Sequence, residues 1–292
     1  GKPGAIHFFT GRFSTVSPVA VELHVTYDLI FEQPCEIDIR PNVETERGFL
    51  PGGHTLKNTL LLADAGYFDL TYFKQVMGNG GYFMVKANKT INPTVLSAFL
   101  CGVNIGEKGT KLQSLLNKFD SQALEMTVSW KKSGPEYRLL YTPDKNRPLL
   151  LLTNLSKSDF HFDQLLDIYA ARWQIELFFK ELKSWNNLKG FMTRDPNIAK
   201  SLIWLSLLLV FIKRFICHGA NRMFECAIST FKANKSAYWW LDNLLDSFDL
   251  KSPQRKLKQI FRTLATTCQR QQVKKGSKTS RFCIGNESLC VA

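Results

Sequence analysis

The sequence predicts an α/β fold interrupted by a β-rich insertion and followed by a helical C-terminal region. Three observations predict it. Apolar strand-like runs alternate with a helical pattern over residues 21–86. Three further strand signals crowd between residues 125 and 155, and everything after Ser158 reads as helix. With 292 residues, 45% of them apolar and 22 of them Phe, the chain can bury a full core, and its ordinary Gly and Pro content excludes a fibrous or disordered class.

In order along the chain, VELHVTYDLIF (residues 21–31) alternates apolar and polar positions, the period of a half-buried strand. Gln33-Pro34 breaks it, and Glu36 to Arg40 reads as its antiparallel partner. Residues 42–58 are polar and partly helical. TLLLAD (59–64) is short, wholly apolar and closed by Asp64 and Gly66, the profile of a strand buried on both faces. A helix from about Phe68 to Met77 is stopped by Gly78, Gly80 and Gly81, and Tyr82 to Lys86 returns as a strand. A helical patch near Leu112 to Phe119 precedes EMTVSWK, YRLLYT and PLLLLTNL, which Ser133-Gly134-Pro135 and Pro143-Asp144 separate into three strands. A long amphipathic helix is expected from about Asp159 to Lys189. Four segments follow from this: an N-terminally incomplete core (1–90), the β-rich insertion (91–157), a motif helix with core helices (158–220) and a basic helical end (221–292).

The 38 Lys and Arg against 25 Asp and Glu give a formal charge of +13, a field that draws polyanions, nucleic acid first among them. Lys251 to Arg281 holds ten Lys or Arg and no Asp or Glu, either a solvated face or a phosphate-contacting arm. Seven scattered cysteines without a Cys-x-x-Cys pair read as reduced intracellular thiols, with Cys283 and Cys290 as a remote candidate pair. Leu202 to Ile212 is about half of a membrane span and is followed by Lys213 and Arg214, so it reads as a core helix and no membrane partner is expected. No secretion signal opens the chain, which begins at Gly1 and is read as clipped at its N-terminus. His24, His54, His161 and His218 lack a second ligand nearby and read as structural. Trp130, Trp204, Trp239 and Trp240 read as core.

Tyr169, Arg172, Glu176, Lys180 and Lys183 are spaced three, four, four and three apart, which on a continuous helix keeps them within a stripe about 80° wide. Ile168, Ile175, Phe178, Phe179 and Leu182 fall on the adjoining, core-facing side. An ordinary amphipathic helix with Arg–Glu and Glu–Lys pairs has the same spacing. A carboxylate among three cations and a tyrosine also suits a metal ligand beside a phosphate backbone.

The spacing Tyr-x2-Arg-x3-Glu-x6-Lys, with Trp173, Ile175, Phe179 and Leu182 between, resembles the signature of the insertion-sequence-4 family of DDE transposases. GRFSTVSPVAVELHVTYDL (11–29), LLADAGYF (61–68) and LLTNL (151–155) are similar to family segments in the same order, so the resemblance spans roughly residues 10–220. It implies a ribonuclease-H-like catalytic domain in which two Asp and one Glu hold two Mg2+ ions, with Mn2+ an acceptable substitute. It implies double-stranded DNA as partner, at element ends and target, and allows a homodimer in the DNA complex. Asp64 matches the family's second Asp, Glu176 its Glu, and Tyr169, Arg172 and Lys183 the rest of the motif. Arg172, Lys180 and Lys183 would neutralise phosphates, and Tyr169 and Arg172 would contact the element-end strand.

The family's first Asp lies on the opening strand of its sheet, and residues 1–10 contain no acidic residue. Asp28, on the following strand, does not match it. The expected function is metal-dependent DNA cleavage and strand transfer by the transposase of a bacterial insertion sequence, in the cytoplasm and on the nucleoid when bound to DNA. The alternative is a catalytically inactive, truncated relic that retains DNA binding.

Overall fold

A computed structural model describes residues 21–41, 46–144, 148–185, 193, 195–248, 253–270 and 288–291. Residues 11–20 of the family resemblance, Cys283, the end of the expected motif helix at Lys189 and the 271–281 part of the basic run lie outside them. The described residues fall into two compact units: the sheet, with residues up to Ile175 and the C-terminal strand, and the helices from Glu176 onward.

The first unit is built on a mixed sheet. Strand β1 (Val21–Asp28) pairs antiparallel with β2 (Gln33–Pro41), with a bulge at Cys35 of β2, since Thr26 faces Glu36 and Tyr27 faces Pro34. The expected strand to Phe31 ends three residues early. Asp28 Oδ1 accepts the backbone N–H groups of Ile30 (2.7 Å) and Phe31 (3.0 Å), which turns the chain out of the ladder and leaves Phe31 exposed. His24 is buried against the ring of Phe49.

Strand β3 (Thr59–Ala63) is buried along its whole length, as an apolar run without alternation requires. Helix α1 (Leu70–Gly78) connects it to the parallel β4 (Tyr82–Lys86). Asp69 caps that helix by accepting from Thr71 and Tyr72 N–H. Gly81 is required behind it, because a Cβ there would lie 2.6 Å from the Leu56 carbonyl oxygen.

The next strands continue the same sheet. They are β5 (Thr94–Leu100), β6 (Val103–Asn104), β7 (Leu124–Ser129), β8 (Tyr137–Thr142) and β9 (Leu149–Thr153), with helix α2 (Leu112–Lys118) between β6 and β7. Pairing of β9 with β4 is antiparallel. The hairpin β5–β6 is an addition to the expected three strands. Its turn is Cys101-Gly102, both with positive φ (48° and 83°), a two-residue hairpin turn that lacks the usual Asn-Gly signal. A last strand, β10 (Ser288–Val291), runs between β1 and β3, antiparallel to the first and parallel to the second, giving the order β2-β1-β10-β3-β4-β9-β8-β7-β5-β6. It corrects the expectation of a purely helical C-terminal region. Helix α3 (Phe162–Ala170) follows β9 in this unit.

The second unit contains most of α4 (Trp173–Trp185), then α5 (Pro196–Phe224), α6 (Thr230–Lys235), α7 (Ala237–Phe248) and α8 (Pro253–Thr267). Its core gathers Ile216, Cys217 and Ala220 of α5, Trp240 of α7, and Ile260, Phe261 and Leu264 of α8. Asn197–Phe224 is long and apolar enough to cross a membrane by length and composition. A third of its most apolar window is buried, while Leu205, Leu208 and Phe215 are exposed, so it is only partly the core helix read from sequence. Ile203, Leu207 and Val210 are buried, and Lys213 and Arg214 are drawn inward, with Arg214 bonded to Glu181 of α4. Trp204 (52% exposed) and Trp239 (44%) lie on outward faces, unlike the core role read from sequence.

Gly219 lets α8 approach α5. A Cβ there would stand 2.7 Å from Phe261 Cζ and 3.1 Å from Cε2, so a flat ring would have to move inside a filled core. Gly219→Ala is expected to lower stability by about 1–3 kcal/mol despite Ala's better helix propensity, measurable as a reduced urea midpoint at unchanged slope.

Candidate active site

Asp64 stands at the C-terminal end of β3, half-buried, where the strand gives way to a 3-10 turn over Ala65–Tyr67. One carboxylate oxygen accepts the Ala65 N–H at 2.8 Å, and the Asp64 carbonyl accepts Tyr67 N–H at 3.1 Å. The turn therefore fixes the carboxylate's orientation. Its second oxygen takes no hydrogen bond among the described residues. A buried strand ending in an oriented, half-exposed carboxylate is an arrangement able to present a hard oxygen ligand.

The signature segment approaches the same strand end. Tyr169 is 8% exposed and its hydroxyl donates to the carbonyl of Ala63, the residue before Asp64, at 3.1 Å. Arg172 lies over the Tyr169 ring, its guanidinium carbon 5.7 Å from the centroid. Cation and ring thus sit together beside the end of β3.

The single helix expected from Asp159 to Lys189 is two helices. Helix α3 ends at Ala170, Ala171 and Arg172 form a turn, and α4 begins at Trp173. Successive N–H groups from Ala171 to Ile175, other than that of Trp173, bond the carbonyl three residues back, tightening the chain at the joint. The five-residue stripe is therefore divided. Tyr169 belongs to α3, Arg172 to the joint, and Glu176, Lys180 and Lys183 share one face of α4 at spacings of four and three. Glu176 is half-buried; Lys180 and Lys183 are exposed. Of the expected core-facing residues, Ile168, Ile175, Phe178 and Leu182 are buried and Phe179 is half-buried.

The acid most deeply engaged on α4 is Glu181, which the motif did not single out. It is 6% exposed and accepts two hydrogen bonds from Arg214, at 2.8 Å from Nη2 and 3.1 Å from Nε, and one from Asn234 Nδ2 at 2.7 Å. Lys213, 4% exposed, has its pKa lowered by burial, with Glu181 pulling it partly back. Burial first, then the Glu181 charge, pushes the Cys217 thiol up to about 12, so it stays protonated at neutral pH. A signal for Glu181 did exist: at 100° per residue it lies about 60° from Phe178, on the side away from the Glu176, Lys180 and Lys183 stripe, where a carboxylate needs partners.

Among the described residues, no group of three or more His, Cys, Asp or Glu side chains gathers as a metal site. Asp28, the last residue of β1, is 8% exposed and spends one oxygen on its own turn.

The family model for the transposase DDE domain matches residues 18–212, two thirds of the chain. The chain is 42% identical over 64 residues to the putative transposase InsL for insertion sequence element IS186A of Escherichia coli (strain K12), a stretch that covers 22% of this chain and 17% of that protein. The same values hold for the transposase for insertion sequence element IS421 of Escherichia coli. It is 24% identical over 217 residues to the transposase for insertion sequence element IS1151 of Clostridium perfringens, covering 60% of this chain and 46% of that protein. It thus spans less than half the length of these curated relatives. With the domain match extending over more than half of its residues, the chain belongs to the DDE transposase family.

Proposed function

We propose that this chain is the catalytic part of an insertion-sequence transposase of the insertion-sequence-4 type, with a ribonuclease-H-like core, acting on double-stranded DNA by cleavage at element ends and strand transfer. The observation that carries the reading is the hydrogen bond from Tyr169 to Ala63. It ties the signature segment to the strand end that presents Asp64, so two sequence regions 106 positions apart meet where the chemistry is expected.

DDE domains generally use divalent metal ions, and the donor chemistry here suits one. Asp64 and Glu176 are hard carboxylate donors, and Asp64 is already oriented through one oxygen. They would be two of the ligands, for Mg2+ or Mn2+. When bound, such ions activate a water or 3′-hydroxyl and stabilise the leaving oxygen of a phosphodiester. The residues themselves supply positioning. Tyr169 holds the end of β3 against α3, the Ala65 N–H fixes the Asp64 carboxylate, and Arg172, Lys180 and Lys183 supply positive charge for the phosphates of the bound strand. Phosphate contacts of this kind set register and carry no base specificity.

The test is strand nicking of duplex DNA carrying the element ends, by the protein that carries this chain. Nicks that leave 3′-hydroxyl ends, require Mg2+ or Mn2+ and vanish with chelator are expected. Salt-sensitive DNA binding without nicking under either metal would replace this reading with that of an inactive, DNA-binding relic.

The pin also yields a smaller prediction. Tyr169→Phe keeps the ring under Arg172 but leaves the Ala63 carbonyl without its donor, which should cost about 1–3 kcal/mol of stability, read by denaturant unfolding.

A further inference from the structure

We propose that the solvent face of α8 is a phosphate-binding ridge that docks on the backbone of duplex DNA, an inference that rests on the reading of this chain as a DNA-acting protein. Helix α8 is divided lengthwise. Ile260, Phe261, Leu264 and Ala265 are buried in the core of the helical unit. Arg255, Lys258 and Arg262 are exposed on the other side, with Gln259 and Thr266 beside them. At 100° per residue the three cations fall within a strip about 60° wide, and the five residues within about 100°. None of the three pairs with a carboxylate among the described residues.

A solvated helix face ordinarily mixes signs, because like charges three and four positions apart repel along the helix. Here Lys251 to Arg281 supplies ten cations and no acid to relieve that repulsion. A polyanion would relieve it. The dimensions agree with one: the seven steps from Arg255 to Arg262 rise about 10 Å, and a DNA strand offers a phosphate about every 3.4 Å of axis, so the ridge spans about three phosphates. The ridge is also held firmly, since Phe261 packs against α5 at Gly219 directly behind it. The contact would be sequence-independent, as phosphate contacts are.

The experiment compares the full chain with the triple variant Arg255→Gln, Lys258→Gln, Arg262→Gln, which removes charge while keeping good helix formers. Binding to a fluorescent duplex of arbitrary sequence is measured by anisotropy between 50 and 200 mM salt. Loss of three phosphate contacts should reduce the slope of log affinity against log salt by about 2.7, so that affinity falls about 40-fold less across that range than in the parent. The control triple Lys108→Gln, Lys131→Gln, Lys132→Gln removes the same charge from exposed positions of the sheet unit and should leave the slope unchanged. A parental slope in the α8 variant, or an equal reduction in the control, overturns the ridge. If the parent chain itself shows no salt-dependent duplex binding, the DNA-acting reading fails along with it.

Discussion

Glu181→Ala should destabilise the helical unit by about 3–5 kcal/mol, because it strips the counter-charge from two buried cations. Arg214 would lose both of its carboxylate hydrogen bonds and Lys213 the charge that opposes its desolvation, while Asn234 would lose its acceptor. Chemical unfolding at neutral pH measures the loss. A cost under about 1 kcal/mol would mean that the three partners reach water when the carboxylate is removed. The paired change Glu181→Met with Arg214→Met should recover much of the loss, since an apolar replacement removes the desolvation cost along with the attraction.

The variant's stability should also rise with pH over a wider range. The lowered pKa of Lys213 means the folded protein releases that proton before the unfolded chain does, so its contribution to stability rises with pH from the folded value up to the ordinary value of 10.5. Removing Glu181 lowers the folded value further and widens that window.

The parts legible in sequence are those where a local pattern and the tertiary environment make the same demand. TLLLA admits only a strand buried on both faces, and β3 is one; Asp64 then had to lie where that strand leaves the sheet. The Gly78 to Gly81 cluster stops α1 with Gly80 at a positive φ of 74°, and Gly81 then abuts the Leu56 carbonyl, a backbone approach that only glycine permits. Where the environment overrode the pattern, sequence reading failed. Nothing local breaks the chain at Ala171 and Arg172, which contain neither Gly nor Pro. The break accompanies the anchoring of Tyr169 to Ala63, a contact made across 106 positions. The central position of β10 between β1 and β3 is equally non-local, since a four-residue strand near the end of the chain cannot announce its neighbours. The five-residue stripe is therefore divided between two helices where its spacing had read as one helical face.

The larger functional effect is expected at Asp64. Asp64→Asn preserves the volume and the oxygen that accepts Ala65 N–H, so the turn and β3 should remain intact. What it removes is the negative charge. Losing a hard anionic ligand should forfeit several kcal/mol of transition-state stabilisation, a rate loss of about 10²-fold or more. Glu176→Gln is the parallel change on α4, and it leaves the buried Glu181 network untouched.

Metal-dependent nicking of element-end DNA by Asp64→Asn and Glu176→Gln, each in the protein that carries this chain and each checked for parental DNA binding and unfolding midpoint, tests the central claim most directly. Loss of nicking in both, with binding and stability retained, is the result predicted. Parental nicking in either one would contradict the assignment of these two carboxylates as the catalytic pair.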